Sequence, residues 1–250
     1  MNLKSEKGNI QESRYRFPYH HIPYMDEQGY PHRIRILKWG YEYLCYQYHI
    51  KELIETLKPS SILDIGCGDG YFLGILSNRI AKKVGVDLSE RAIKFAQAMN
   101  NDITYLNMDA SEINDVYDII TAIEVLEHIP DSKVSEFIQI LSDRVKKSGY
   151  VIISVPTTNI PLNAKHYRHY TFNLLKEQLA NAKSTLKIVK HDYIYRNDFL
   201  MRKYFKLTQN RLWFFEPHIL RKYMWKYTWN KLRIANQNNG YHLIVLLKKY

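Results

Sequence analysis

The chain has 250 residues, 46% of them hydrophobic, with 36 Lys and Arg against 25 Asp and Glu. That length and apolar content exclude a disordered chain and suit one large α/β domain, or a medium domain with extensions; no uncharged apolar run reaches the roughly eighteen residues that a membrane-spanning helix needs. The formal charge of +11 favours anionic partners, among them nucleic acid, anionic lipid and phosphorylated metabolites, without choosing between them.

The first residues carry charge but no apolar signal region, and only Cys45 and Cys67 are present, so a cytoplasmic location without a disulfide framework is expected. Residues 1–35 are punctuated by Pro18, Pro23, Gly29 and Pro31, which break any helical period. Tyr15, Phe17, Tyr19, His20, His21 and Tyr24 make this arm aromatic, as expected of a segment that closes over a ligand pocket. Over 37–57, Leu44, Tyr48, Leu53 and Leu57 recur at helical spacing, and Pro59 ends the helix. From 60 to 156 short apolar strands alternate with amphipathic helices. Strands are predicted at 61–65, 83–87, 103–107, 118–124 and 149–156, with helices starting near Tyr71, Ser89, Glu112 and Asp131. Such alternation gives βαβ units and a doubly wound parallel sheet with helices on both faces. A loop rich in Asn, Pro and His then leads to a helix at 172–182, a strand at 186–195 and a last strand at 241–249.

The strongest motif is ILDIGCGDGYFLGIL, residues 62–76. A buried strand ends at Asp64 and Ile65, the glycines make a turn, and an apolar helix follows at once. Glycine serves where backbone must approach a ligand or adopt positive φ, and the helix start offers unpaired N–H groups. An acid just before the loop opposes the pyrophosphate of a dinucleotide site and suits a cationic, amine-bearing ligand. In these residues, and over roughly residues 50–156, the chain resembles the class I S-adenosylmethionine-dependent methyltransferase superfamily. The resemblance implies a seven-stranded Rossmann-like fold and S-adenosylmethionine as cofactor. It implies that Gly66, Cys67, Gly68 and Gly70 face the cofactor's methionine part, with Asp64 at the motif's acidic position. Asp87, beside Leu88, would accept both ribose hydroxyls; Asp109, with Ala110, would stand near the adenine amine; Glu124 would close the same pocket. Plainer readings exist for single acids: Asp87 before Ser89 can cap a helix, and Asp109 can be a turn residue.

The second motif is AIEVLEHIP, residues 122–130. On a helical turn Glu124, Glu127 and His128 stand at i, i+3 and i+4, on one side, and two carboxylates with an imidazole can bind a divalent cation. The segment resembles ubiquinone-biosynthesis O-methyltransferases and small-RNA 2′-O-methyltransferases, which implies Mg²⁺ or Mn²⁺ at these three positions. The RNA group adds a later histidine ahead of a Thr-initiated helix; His166, before Thr171, matches that spacing better than His169. The segment is also similar to bacterial methyltransferases of glycans and small metabolites that have no established metal, where His128 acts as a base or shapes the pocket. A neutral hydroxyl is a poor nucleophile until a histidine or a metal draws its proton away. His128, His166 and His169 are the candidate catalytic residues on either reading.

Residues 196–233 interleave Trp213, Trp225 and Trp229 with Arg211, Arg221, Lys222, Lys226 and Lys231. Three readings fit: a substrate lid with a small aromatic core, attachment to an anionic membrane surface, and stacking on single-stranded nucleic acid. The expected organisation is an N-terminal arm and helix over 1–58, a cofactor-binding core over 59–195, this insertion or lid over 196–240, and a final core strand over 241–250. The expected activity is methyl transfer to an oxygen of a glycan, a lipid-linked precursor or a small metabolite. The alternatives are 2′-O-methylation of an RNA end with a divalent metal, and a non-catalytic cofactor-binding subunit. The membrane reading of the insertion places the protein at the inner face of the membrane.

Overall fold

The computed structural model describes residues 24, 25, 28, 29, 31, 32, 38–210, 212, 213, 215 and 217–250. The arm aromatics Tyr15, Phe17, Tyr19, His20 and His21, the Tyr24 side chain, and Arg211 lie outside the described residues. Of the arm, β1 (Tyr24–Met25) and β2 (Pro31–His32) form a short antiparallel ribbon. The 20-residue helix α1 (Lys38–Leu57) follows.

Next come β3 (Ser61–Ile65), α2 (Tyr71–Ile75), β4 (Lys82–Asp87), α3 (Glu90–Met99), β5 (Thr104–Asn107) and β6 (Tyr117–Ile123). After them run α4 (Val134–Arg144), β7 (Val145–Pro156), α5 (Phe172–Asn181) and β8 (Leu186–Ile194). The chain ends with α6 (Phe199–Thr208), α7 (His218–Tyr227), β9 (Ile234–Ala235) and β10 (His242–Lys249). The main sheet has the order β5-β4-β3-β6-β7-β10-β8-β9. Strands β5 to β7 are parallel, and β10 runs against both β7 and β8.

Alternate residues of each central strand enter different cores, as the two-residue period of a strand requires. Leu63, Ile120, Val151, Val245 and Leu247 pack on the side of α4 and α5. Ile62, Ile119, Ile152, Ile244 and Leu246 pack on the side of α1, α2 and α3. Burial on both faces explains the near-continuous apolar runs that marked these strands in the sequence. The strand order turns outward in opposite directions from β3 and β6, which opens a crevice beyond their carboxyl ends.

The doubly wound Rossmann-like sheet is as expected, but among the described residues it has eight strands rather than seven. The additional β9 pairs Ile234 with Ile194 and Ala235 with Tyr193, and so covers the sheet edge. Two residues between Arg233 and Asn236 carry no periodicity that a sequence reading could detect. Strand β7 also starts earlier than 149. Val145 already pairs with Tyr117, and the register then shifts before Ile119 meets Tyr150. The predicted helix near Glu112 is a 3₁₀ turn, Ala110–Glu112.

The insertion is a helical cap. Met201, Tyr204, Phe205, Met224 and Leu232 form a third small core on Tyr41 of α1. The Trp225 ring lies 6.2 Å from Tyr41 and 5.6 Å from Trp229, and the Arg233 guanidinium sits 3.9 Å from the Trp229 centroid. Two of the three tryptophans therefore serve packing; Trp213 is exposed.

Candidate active site

The glycine loop leaves β3 with φ of +75° at Gly66, +55° at Gly68 and +77° at Gly70. A side chain at Gly66 would put Cβ 2.5 Å from Val125 Cγ2, and one at Gly70 would put it 2.6 Å from the Tyr105 hydroxyl. Both positions thus demand glycine by backbone angle and by space. The Gly66 contact also shows that the loop lies directly against the second motif. Cys67 gives its main chain to the turn, donating to Val86 O at 3.0 Å. Its side chain is buried in the core, where burial raises the thiol's pKa.

Asp64 is buried, and its Oδ1 accepts from Thr121 Oγ1 at 2.6 Å. Burial outweighs that hydrogen bond, Asp87 adds repulsion, and the carboxyl is raised to about 7. Asp87 stands at the end of β4. Its Oδ2 accepts from Gly68 N at 3.0 Å and its Oδ1 from Ser89 N at 2.8 Å, while Ser89, not Asp87, caps α3. Leu88 is exposed beside Asp87. Asp109 caps the 3₁₀ turn, accepting from Ser111 N at 2.8 Å, and Ala110 points into the core. The turn-residue reading of Asp109 is therefore realised in the fold. The loop's bare main chain and the Asp87 carboxylate fit the expected nucleoside cofactor.

In the second motif Glu124 has φ of +55°, so the chain turns sharply before the 3₁₀ turn Leu126–His128. The i, i+3, i+4 face is broken at its first member. Glu124 Oε1 accepts from Ser154 Oγ at 2.7 Å and lies 3.1 Å from His242 Nδ1; His242 Nε2 lies 3.0 Å from Glu42 Oε1 of α1. Burial alone would lower the His242 pKa, but the flanking Glu124 and Glu42 carboxylates raise it to about 10. Burial likewise opposes ionisation of Glu124, yet the His242 charge and the Ser154 hydrogen bond hold it below its ordinary value. The expected four-ligand set thus loses Glu124, whose charge is already balanced by an imidazolium.

The other three come together. Ligand atoms of Glu127, His128 and His166 lie within 4.8 Å of one another. Glu127 is fully buried, and neither carboxylate oxygen has a hydrogen-bond partner. Burial, then repulsion from Glu124, pushes its pKa well above the ordinary value. His128 Nδ1 is 3.2 Å from the Lys165 carbonyl and donates to it, while its Nε2 lies 3.8 Å from Glu127 Oε1. His169 Nδ1 is 3.1 Å from the Ile160 carbonyl, and His169 Nε2 is 2.9 Å from His166 Nδ1. The carbonyl fixes His169 as donor at Nδ1, which makes its Nε2 the acceptor for His166 and leaves His166 Nε2 unprotonated. Burial, followed by the His128 and Lys165 charges, lowers His166 to about 3. A buried carboxylate and two imidazoles converge, a donor set suited to a divalent cation. His169 is one step behind this group.

Sequence reasoning missed Glu42, His242 and Arg168. Arg168 donates to Leu126 O at 3.1 Å and Ile129 O at 2.6 Å, and its Nε lies 2.6 Å from Asp131, tying the histidine loop to the second motif. A lone polar residue opening the apolar run HLIVLL was the available signal for His242.

The family described as "Methyltransferase domain" matches residues 41–234. A ubiquinone biosynthesis O-methyltransferase of Nitrosomonas europaea is 33% identical over 119 residues, which are 44% of this chain and 50% of that protein. The chain spans about half the length of the curated relatives it matches. Among solved structures, an S-adenosylmethionine-dependent methyltransferase from Archaeoglobus fulgidus aligns at TM-score 0.58 and 19% identity, covering 82% of this chain and 93% of that one. A magnesium protoporphyrin IX methyltransferase from Synechocystis, solved with S-adenosylmethionine bound, aligns at TM-score 0.60 and 14% identity over 100% of both chains. At these identities the structures bear on the fold.

Proposed function

Because this chain belongs to the methyltransferase-domain family, we propose that it carries a methyl group from S-adenosylmethionine to a hydroxyl oxygen of a glycan, lipid-linked precursor or small metabolite. The curated relatives are O-methyltransferases, which supports oxygen as the accepting atom. The main chain of residues 66–70, with Asp64, Asp87 and Asp109, would hold the cofactor. When bound, the cofactor supplies a methyl group on a sulfonium, already a good leaving group. The protein's remaining tasks are to align the acceptor and to take up its proton.

The observation that carries the reading is the convergence of Glu127, His128 and His166, with a buried carboxylate that makes no hydrogen bond among them, against the glycine loop's neighbour. The three fit a divalent cation, Mg²⁺ or Mn²⁺, which when bound lowers the pKa of a hydroxyl. His169 and the Lys165 carbonyl orient the two imidazoles, each by its Nδ1. Arg168 keeps the two segments that carry them together.

Manganese titration followed by electron paramagnetic resonance tests this. One site is expected, lost in Glu127→Leu and kept in Glu124→Gln. Methyl transfer indifferent to a chelator would remove the cation and leave His128 as proton acceptor. Well-folded protein giving no heat with S-adenosylhomocysteine would end the whole reading. Methylation of an RNA 2′-hydroxyl competes, supported by the same triad and the +11 charge. It predicts RNA affinity that falls steeply with salt, and a flat dependence removes it.

A further inference from the structure

The cap between β8 and β10 has two faces of different character. Its inner face is complete, with Met201, Tyr204, Phe205 and Met224 buried on Tyr41. On its outer side Phe199 is 64% exposed, Leu207 67%, Leu212 83%, Phe215 64% and Ile219 72%, all on α6, α7 or the stretch joining them. Large apolar side chains gathered on consecutive exposed elements mark an interaction surface.

Charge indicates the partner. Residues 196–233 hold ten Lys or Arg against two acids, Asp198 and Glu216. Asp198 is engaged within the cap, accepting from Met201 N at 2.9 Å and from the Tyr227 hydroxyl. The bases share the outer side: Lys203 lies 4.5 Å from the Phe199 ring centroid, and Arg202, Lys206 and Lys226 are exposed. A second copy of this chain would bring like charge against like. Single-stranded RNA suits the bases and aromatics but leaves Leu207, Leu212 and Ile219 with nothing to stack on. An anionic bilayer accounts for both sets, because headgroups meet the bases while the acyl boundary receives the apolar side chains. No helix among the described residues is long and apolar enough to cross a membrane, so such attachment is interfacial. We infer that the outer face of the cap, from α6 through α7, docks this protein on an anionic lipid surface. The inference stands on that face alone and does not depend on the proposed methyl transfer.

The test sediments the full chain with vesicles of phosphatidylcholine, and with vesicles of equal parts phosphatidylcholine and phosphatidylglycerol. Binding to the mixed vesicles is expected to be at least about tenfold tighter, since each base near the surface adds attraction. The double variant Leu212→Ser, Ile219→Ser changes only exposed positions. It should lose at least about tenfold in vesicle binding while keeping its heat of binding with S-adenosylhomocysteine. Equal affinity for both vesicles overturns the inference, as does undiminished binding by the double variant, which would signify diffuse attraction of a basic protein. Tighter binding of single-stranded RNA than of mixed vesicles, or self-association reversed by the double variant, overturns it as well.

Discussion

Asp118 and Glu127 lie near opposite ends of β6, and the fold treats them in opposite ways. Asp118, at the start of the strand, is supplied from every side. Its Oδ2 accepts from Ser60 N at 3.0 Å, Ser60 Oγ at 2.6 Å, Ser61 N at 2.8 Å and Ser61 Oγ at 2.9 Å. Its Oδ1 receives Lys146 Nζ at 2.8 Å. Burial opposes ionisation, but these bonds, led by Lys146, hold the carboxyl far below its ordinary value. Glu127, just past the strand's other end, is more deeply buried and has no hydrogen bond at either oxygen. One acid is completed by the chain and fastens β3 to β6. The other meets the His128 imidazole, 3.8 Å away. A buried polar group without a hydrogen bond costs about 1–3 kcal/mol, so a fold that retains one beside two imidazoles gives up stability there.

The largest effect that sharpens this contrast is expected from Glu127→Leu. Methyl transfer should fall by at least about a hundredfold, while unfolding free energy rises by about 1–3 kcal/mol on removal of an unpaired buried acid. Calorimetric melting reads the second effect. The sign with pH is fixed. Glu127 has a raised pKa in the native state, so the parent loses stability as pH climbs from the unfolded carboxyl's range, and the variant's advantage should widen. Equal melting of the two proteins across pH would break the comparison. Asp118→Ala should move stability the other way, by about 2–3 kcal/mol in urea denaturation, with S-adenosylhomocysteine affinity unchanged. Its contribution is present above the unfolded carboxyl's pKa and is lost as pH falls below it.

A smaller effect is expected from His169→Phe, which removes the acceptor for His166 Nδ1. Manganese affinity should drop by about tenfold, with partial recovery in His169→Gln, whose amide oxygen can accept the same bond. Affinity equal to the parent in His169→Phe would show that the tautomer is fixed otherwise. The smallest concerns Asp64, raised to about 7. A cationic amine favours its ionised form, so S-adenosylhomocysteine affinity should fall as pH drops below 7, by at most about tenfold per unit. Titration calorimetry should find the slope abolished in Asp64→Asn.

Much of the fold was legible in the sequence because it depends on local rules. The apolar runs from Ser61 to Pro156, the glycine turn and Ser89 as a helix cap are each decided within a few residues. The candidate site was legible where it follows one segment, as for Glu127 and His128, and His166 was found through its spacing to Thr171. What escaped depends on the sheet's order. His242 meets Glu124 only because β10 slots between β7 and β8, and Glu42 arrives from a helix that reads simply as apolar and aromatic. Glu124, expected on one helical side with Glu127 and His128, stands apart for a backbone reason: it takes positive φ, and helical spacing does not describe it. The cap's aromatics kept three readings open since α6, α7 and the π turn Thr228–Leu232 follow no single period.

Strand β10 enters its slot with His242 leading, opposite Pro156 at the far end of β7. The imidazolium beside Glu124 therefore comes from a strand that the chain supplies after the cap. A nascent chain that has emerged only as far as the cap has its loop, its acids and its histidine cluster, but an uncompensated Glu124 next to Glu127. Synthesis order alone thus places the charge balance of Glu124 after the cap, at the step where β10 closes the sheet.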